Sequence, residues 1–220
     1  MIGIYVSVPI ACFRKGLARE YLETEKIPPP STCYGFLLSL VGETDRERHL
    51  GARVMPVLLS KPEESTVLRT VWRVKKKRID SSENRRPDIQ QLLANIRLIL
   101  WLDSSDEEHD APRLEDRVRI ALDPERRGEI TRFGGLSFGE STHLVDEVSL
   151  YDPDSADSKS ILQKDDGFPL RMCQNPAGLH TWTVWVDHVG AKDTRYVVGE
   201  LVSGGLEPPD CDEMPLIHKE

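Results

Sequence analysis

Pro28-Pro29-Pro30-Ser31-Thr32-Cys33-Tyr34-Gly35-Phe36-Leu37-Leu38-Ser39-Leu40-Val41 sets the arrangement of everything around it. The prolines impose an extended approach. Ser31 or Thr32 is placed to cap a helix from about Thr32 to Val41, and Gly42 is placed to end it. Phe36, Leu37, Leu38, Leu40 and Val41 leave that helix little polar face, so it must be buried against a sheet rather than laid on a surface. Its first turn also offers free backbone N–H groups to an anion.

The flanking sequence supplies the sheet. Upstream, Ile2, Ile4, Val6 and Val8 alternate with Gly3, Tyr5 and Ser7, the period of a strand with one buried face. Downstream, Arg53 to Leu59 and Val67 to Val74 read as two strands around a turn at Lys61 to Ser65, and Ala94 to Leu102 as another. Pro112 to about Glu125 is a second helix, with Leu114, Val118, Ala121 and Leu122 on one side and Pro112 in the first turn. His143 to Tyr151 fits strand or helix. A polar linker from Asp152 to Asp166 follows, then Thr181 to Val186 and Thr194 to Val202 as a hairpin, and a Pro-rich, acidic tail from Glu207 that reads as loose.

Up to residue 150 the order approximates βαββαβ. This is an α+β fold of the ferredoxin-like (RRM-like) kind, with helices on one face of an antiparallel sheet and the other face free for single-stranded RNA. Residues 151–220 are expected to form a linker and a small β-rich extension.

Arg132-Phe133-Gly134-Gly135-Leu136-Ser137-Phe138-Gly139-Glu140-Ser141-Thr142-His143 carries the chemistry. Glycines this dense let backbone N–H groups come close to a bulky guest such as a phosphate. Gly135-Leu136-Ser137-Phe138-Gly139 also spells the nucleophile elbow of a serine hydrolase, for which Asp146 or Asp152 and His180 or His188 would complete a triad. A plain turn is the third reading. Against the hydrolase stand the few helices and the antiparallel character of the β-segments.

Composition narrows the class. With 220 residues, 39% hydrophobic and 30% charged, the chain suits one generous domain or two small ones and needs no staples. The N-terminus starts at once as a strand and lacks the basic region and apolar run of a signal peptide, so a cytoplasmic protein without a membrane partner is expected. Cys12, Cys33, Cys173 and Cys211 form no CxxC, and the histidines form no HExxH; neither metal nor other cofactor is expected. The net charge of −8 argues against indiscriminate coating of nucleic acid. Its distribution matters more. Between Arg69 and Arg86 eight basic residues (Arg69, Arg73, Lys75, Lys76, Lys77, Arg78, Arg85, Arg86) face two acidic ones, as in a basic arm that leaves the sheet and returns.

Three blocks, taken in order, carry a family resemblance: Pro28 to Leu38, Arg69-Thr70-Val71-Trp72-Arg73-Val74-Lys75-Lys76, and Phe138-Gly139-Glu140-Ser141-Thr142-His143-Leu144-Val145-Asp146. Together they resemble CRISPR-associated protein family five, most closely its DevS-like branch, over roughly residues 1 to 150. The resemblance implies a ferredoxin-like RAMP domain over 1–150, with a basic β-hairpin thumb at about 69–97 and a glycine-rich loop at 134–139. It also implies a non-catalytic subunit of a type I Cascade complex. Such a subunit holds the 5′ handle of the crRNA, touches the large subunit and the backbone subunit, and meets target DNA only indirectly.

The residues agree with that role. A bent RNA end needs close backbone donors (Gly134, Gly135, Gly139) and charges for phosphates (Arg14, Lys15, Arg73, Lys75, Lys76, Arg132, with Arg69, Lys77 and Arg78 of the arm). It also needs hydroxyl, aromatic or ring-nitrogen groups for the 2′-OH and the bases (Ser141, Thr142, Tyr34, Trp72, His143). One branch of the family is a metal-free endoribonuclease, which would put Tyr34, Lys75 and His143 in the roles of base, charge stabiliser and acid. His143 as a hydrogen-bonding residue is the plainer reading.

Overall fold

The computed structural model describes residues 1–16, 18, 21–72, 78–109, 112–153, 155, 168–187 and 193–220. In chain order the elements are β1 (Ile2–Ala11), β2 (Tyr21–Leu22), α1 (Pro30–Leu40), β3 (Arg53–Leu58), β4 (Glu63–Trp72), β5 (Arg85–Asp103), α2 (Leu114–Leu122), β6 (Glu147–Tyr151), β7 (Leu170–Gln174), β8 (His180–Trp185) and β9 (Arg195–Ser203). The protein is of mixed α and β structure: the described residues form two α-helices and one nine-stranded, mostly antiparallel sheet in the order β6-β1-β5-β3-β7-β9-β8, with β2 and β4 paired to β5 off that path. The C-terminal hairpin β8–β9 and the additional strand β7 extend the sheet of the first 150 residues, because β7 pairs with β3 at Val57 and Leu58.

Helix α1 is buried as its composition demands, with Cys33, Tyr34, Phe36, Leu37, Leu38 and Leu40 enclosed. It starts earlier than predicted. Pro29 takes the N-cap position and Pro30 the first turn, where a missing N–H costs nothing. The expected side-chain cap is therefore absent, and Ser31 Oγ instead meets Thr183 Oγ1 of β8 at 2.6 Å. Gly42 ends the helix in the left-handed region at φ +67°, and Glu43 N–H closes on Leu38 O at 2.9 Å. Helix α2 is shorter than predicted. Its first turn is held by Glu107, which accepts from Leu114 N–H at 3.0 Å, and by Ser104 Oγ, which accepts from Glu115 N–H at 3.1 Å, so Pro112 lies before the helix.

On the helix side of the sheet, Ile4, Val6, Val8, Leu98 and Leu100 pack against α1 and α2 in one large core. The other side is not free, contrary to the sequence reading. Met55, Val57, Ile99 and Trp101 are covered there by Met214, with Leu206 and Tyr151 alongside. The acidic tail is therefore docked rather than loose. Ile217 N–H reaches Ala52 O at 2.9 Å and Val54 N–H reaches Pro215 O at 3.1 Å, so the tail occupies the half of the β3 edge that β7 leaves open. Arg53 clamps it, donating to Met214 O at 3.2 Å.

The basic excursion begins earlier than its charges suggest. β4 pairs with β5 from Glu63↔Ala94 to Trp72↔Arg85, forming the arm, while β5 continues as a 19-residue strand into the centre of the sheet. Asn95, at φ +65°, marks the passage. Ser60 Oγ donates to Asn95 O at 2.7 Å and accepts from Arg97 N–H at 3.0 Å, fixing the irregular step.

Candidate nucleic-acid interface

The glycine-rich stretch is a tight hairpin on the end of β1. Ser137 and Leu144 form an antiparallel bridge, Phe138 N–H donates to His143 O at 2.9 Å, and Asp146 N–H donates to Ser7 O at 2.9 Å. Phe138 anchors it. Its fully buried ring lies between Phe13 and Phe36, at centroid distances of 5.3 and 5.0 Å.

The three glycines do different work. Gly139 is at φ +89° with its α-carbon pressed on β1: a Cβ there would sit 2.7 Å from Cys12 O. Gly134 is also left-handed, at φ +78°, but in open space, while Gly135 needs no special conformation. Ser137 belongs to the hairpin bridge and is followed by a turn, so the strand-to-helix elbow of a hydrolase is not formed.

His143 Nδ1 accepts from Cys12 N–H at 3.2 Å, which requires a neutral ring with its proton on Nε2. Burial holds its pKa below the usual value, and Arg69 adds to that against the opposing pull of Glu140. Glu140 joins the loop to the arm. Gln90 Nε2 of β5 donates to it at 2.9 Å, and Arg69 Nη1 of β4 lies 3.9 Å from its other oxygen. Ser141 and Thr142 are exposed at the hairpin tip, as is Arg132 before it. Phe133, between Arg132 and Gly134, is wholly exposed.

The arm presents two unlike faces. Arg69, Arg86, Asp88 and Gln90 lie on the inner one, with Arg86 Nε 3.3 Å from Asp88. The outer face carries exposed apolar side chains: Leu68 is 74% exposed and sits across from Ile89, which in turn pairs with Tyr21 of β2. Trp72 is also on it, with the Arg85 guanidinium 5.2 Å from its ring centroid. Arg78 is exposed and paired with Asp80 at 3.1 Å. Arg73, Lys75, Lys76 and Lys77 lie outside the described residues.

Arg14 and Lys15 lie three and four residues past the end of β1, near the glycine hairpin, whose Gly139 packs on Cys12. Arg14 Nε donates to Ala18 O at 3.1 Å, and Lys15 Nζ is 3.8 Å from Glu23. Tyr34 stands apart and is a correction. It is 2% exposed, donates its hydroxyl to Arg46 O at 2.8 Å, and burial drives its pKa up, so it offers neither a ring face to a base nor a phenolate to a reaction.

Sequence reasoning missed Gln90 and Glu140, which couple loop to arm, and Phe133. A glutamine inside an apolar-flanked strand and a phenylalanine between an arginine and two glycines, with no periodic partner, were the available signals. Among the described residues no group of three or more His, Cys, Asp or Glu is arranged to hold a metal, and no helix is long and apolar enough to cross a membrane.

No family model matches the chain. It is 46% identical to CRISPR-associated protein Cas5 of Myxococcus xanthus (strain DK1622), over 99% of this chain and 97% of that protein. Among solved structures it resembles a chain of a CRISPR RNA-guided surveillance complex, with a TM-score of 0.57, 12% identity, and 91% and 88% of the two chains covered. It also resembles a Cas protein crystal structure, with a TM-score of 0.52, 13% identity, and 94% and 99% covered. At those identities the two structures speak for the fold alone. Identity at nearly half of all positions, sustained from one end of the chain to the other, speaks for descent: the protein belongs to the Cas5 family of CRISPR-associated proteins.

Proposed function

We propose that this protein is a non-catalytic subunit of a type I Cascade complex that binds and caps the 5′ handle of the crRNA. In this reading it also joins the large subunit to the backbone subunit and meets target DNA only indirectly, in the cytoplasm. The order β6-β1-β5-β3, with α1 between β1 and β3 and α2 between β5 and β6, reads as a ferredoxin-like RAMP domain over 1–150. The arm is its thumb, and 151–220 its β-rich extension.

The observation that carries the proposal is the junction at Glu140. Through it a loop with exposed hydroxyls and a left-handed glycine is fixed beside the root of a cationic, aromatic-bearing arm. Cations for phosphates, backbone donors that can come close, and an exposed indole for a base face are what a bent single strand requires. The fold neighbour drawn from an RNA-guided surveillance complex supports the same reading. The endoribonuclease alternative is less favoured because Tyr34 is enclosed and His143 Nδ1 is already engaged.

Binding of repeat-derived RNA, followed by fluorescence anisotropy across a salt series, tests the proposal. Neutralisation of about six phosphates gives a log-log slope near −4. A flat response would count against RNA binding. Incubation with repeat RNA in EDTA should leave the RNA intact, whereas clean cleavage at one site would make the protein an enzyme.

A further inference from the structure

A cleft of about 310 Å³ lies between the turn after β1, the start of α1 and the hairpin β8–β9. Arg14 and Lys15 line it from the turn after β1, Ser31 from the start of α1, and Thr181, Thr183 and Tyr196 from the hairpin. The last three come from the C-terminal hairpin, which thus shares the cleft with the N-terminal part of the chain. We propose that this cleft holds one ribonucleotide unit, with its phosphate toward Arg14 and Lys15, its sugar among the threonine and serine hydroxyls, and its base against Tyr196.

Size comes first. Small-molecule sites begin at about 300 Å³, so this cleft suits a single nucleotide rather than a run of them. Its lining is chemically mixed. It holds two cations, Arg14 and Lys15, and hydroxyls that can donate or accept. Tyr196, 54% exposed, offers a ring. The cleft is also preformed. The Ser31–Thr183 contact at 2.6 Å ties α1 to β8, and Trp182, stacked against His180 at 5.4 Å and 21°, backs the wall.

Glu25 is the carboxylate of the lining. Burial raises its pKa, against the opposing influence of Lys15 and His180, and its carboxylate is the group of the lining that would repel a phosphate.

The proposal rests on the RNA-binding reading above, and the test separates the two. Anisotropy titrations of the full-length protein would use a 5′-phosphorylated repeat-derived RNA, with AMP as a free-nucleotide competitor. The variants are Tyr196→Ala, Lys15→Gln and Glu25→Gln, with circular dichroism to confirm folding; Tyr196 and Lys15 are exposed enough to be replaced without opening the core.

Tyr196→Ala should weaken RNA binding by about fivefold or more, as loss of one base stack does. Lys15→Gln should weaken it too, and Glu25→Gln should tighten it. Competition by AMP that Tyr196→Ala abolishes assigns the cleft to free nucleotides as well, and no competition assigns it to a unit of the RNA chain. Affinities within about twofold of wild type for both Tyr196→Ala and Lys15→Gln, with Trp72→Ala still weakening binding, would overturn the cleft and leave the RNA reading standing. Failure of the wild type to bind either RNA or AMP would overturn both.

Discussion

Gln90 Nε2 donates to Glu140 Oε1 across 2.9 Å and so ties the arm to the glycine hairpin. Gln90 is almost wholly buried, and Glu140→Ala leaves its amide without that acceptor. We expect a loss of about 1–3 kcal/mol in urea unfolding and faster amide exchange at Phe138 and His143. Glu140→Gln retains an acceptor and should cost less.

The two left-handed glycines of the loop should separate cleanly. Gly134→Ala meets only backbone strain and should cost about 1 kcal/mol, whereas Gly139→Ala must also displace Cys12 O and should cost about 2–3 kcal/mol. Thermal unfolding of the two variants checks the ranking, and equal costs would contradict the packing of Gly139 on β1.

Acid should loosen the loop before it unfolds the protein. His143 has a lowered pKa in the folded state, so the unfolded chain binds more protons as pH falls below the usual 6.5, and native stability declines from there. Protonation also removes the acceptor for Cys12 N–H. His143→Asn should flatten the decline that sets in as pH falls below 6.5 in a stability-against-pH series.

A second acid step belongs to Glu43. Burial pushes its pKa up, but Arg117 and the N–H groups of Asp45 and Thr44 outweigh that and hold it at about 2, against an ordinary 4.5. The stability it contributes is present above pH 4.5 and is lost as pH falls toward 2. Arg117 also donates to Val41 O and contacts His49 Nε2, so Arg117→Ala should destabilise by about 3 kcal/mol at neutral pH and remove this step.

Met214 is completely buried on the second face of the sheet, beside Trp101. Met214→Ala should cost about 2–4 kcal/mol, and deletion of 207–220 should shift tryptophan emission to longer wavelength as Trp101 meets water. An unchanged spectrum would contradict the docked tail.

The parts of the fold that were legible are those with one buried face. Ile2, Ile4, Val6 and Val8 announced β1, the unbroken apolar run after Pro30 announced α1, and Thr181 to Val186 with its partner announced the C-terminal hairpin. Strand β7 was missed because it is only five residues long and buries only Met172 completely, too little for an alternation to show. The tail was misread because its contacts with β3 are made by backbone groups, which composition does not reveal, and by two isolated apolar side chains, Met214 and Ile217. In the interface, the cationic arm and the hairpin could be read from charge and glycine spacing. Their junction through Glu140 could not, since it joins residues fifty positions apart.

Because the arm's returning strand is also the central strand of the sheet, the arm cannot be exchanged as a cassette. A chimera that grafts another arm onto this scaffold must be spliced inside β5. Asn95 is the natural seam, since its left-handed backbone and the double hand-hold of Ser60 already break the strand's regularity there. Joins placed further along, among Ile96 to Leu102, would cut pairings to β1 and β3 at once, and the recipient would lose its core before it gained a new reach.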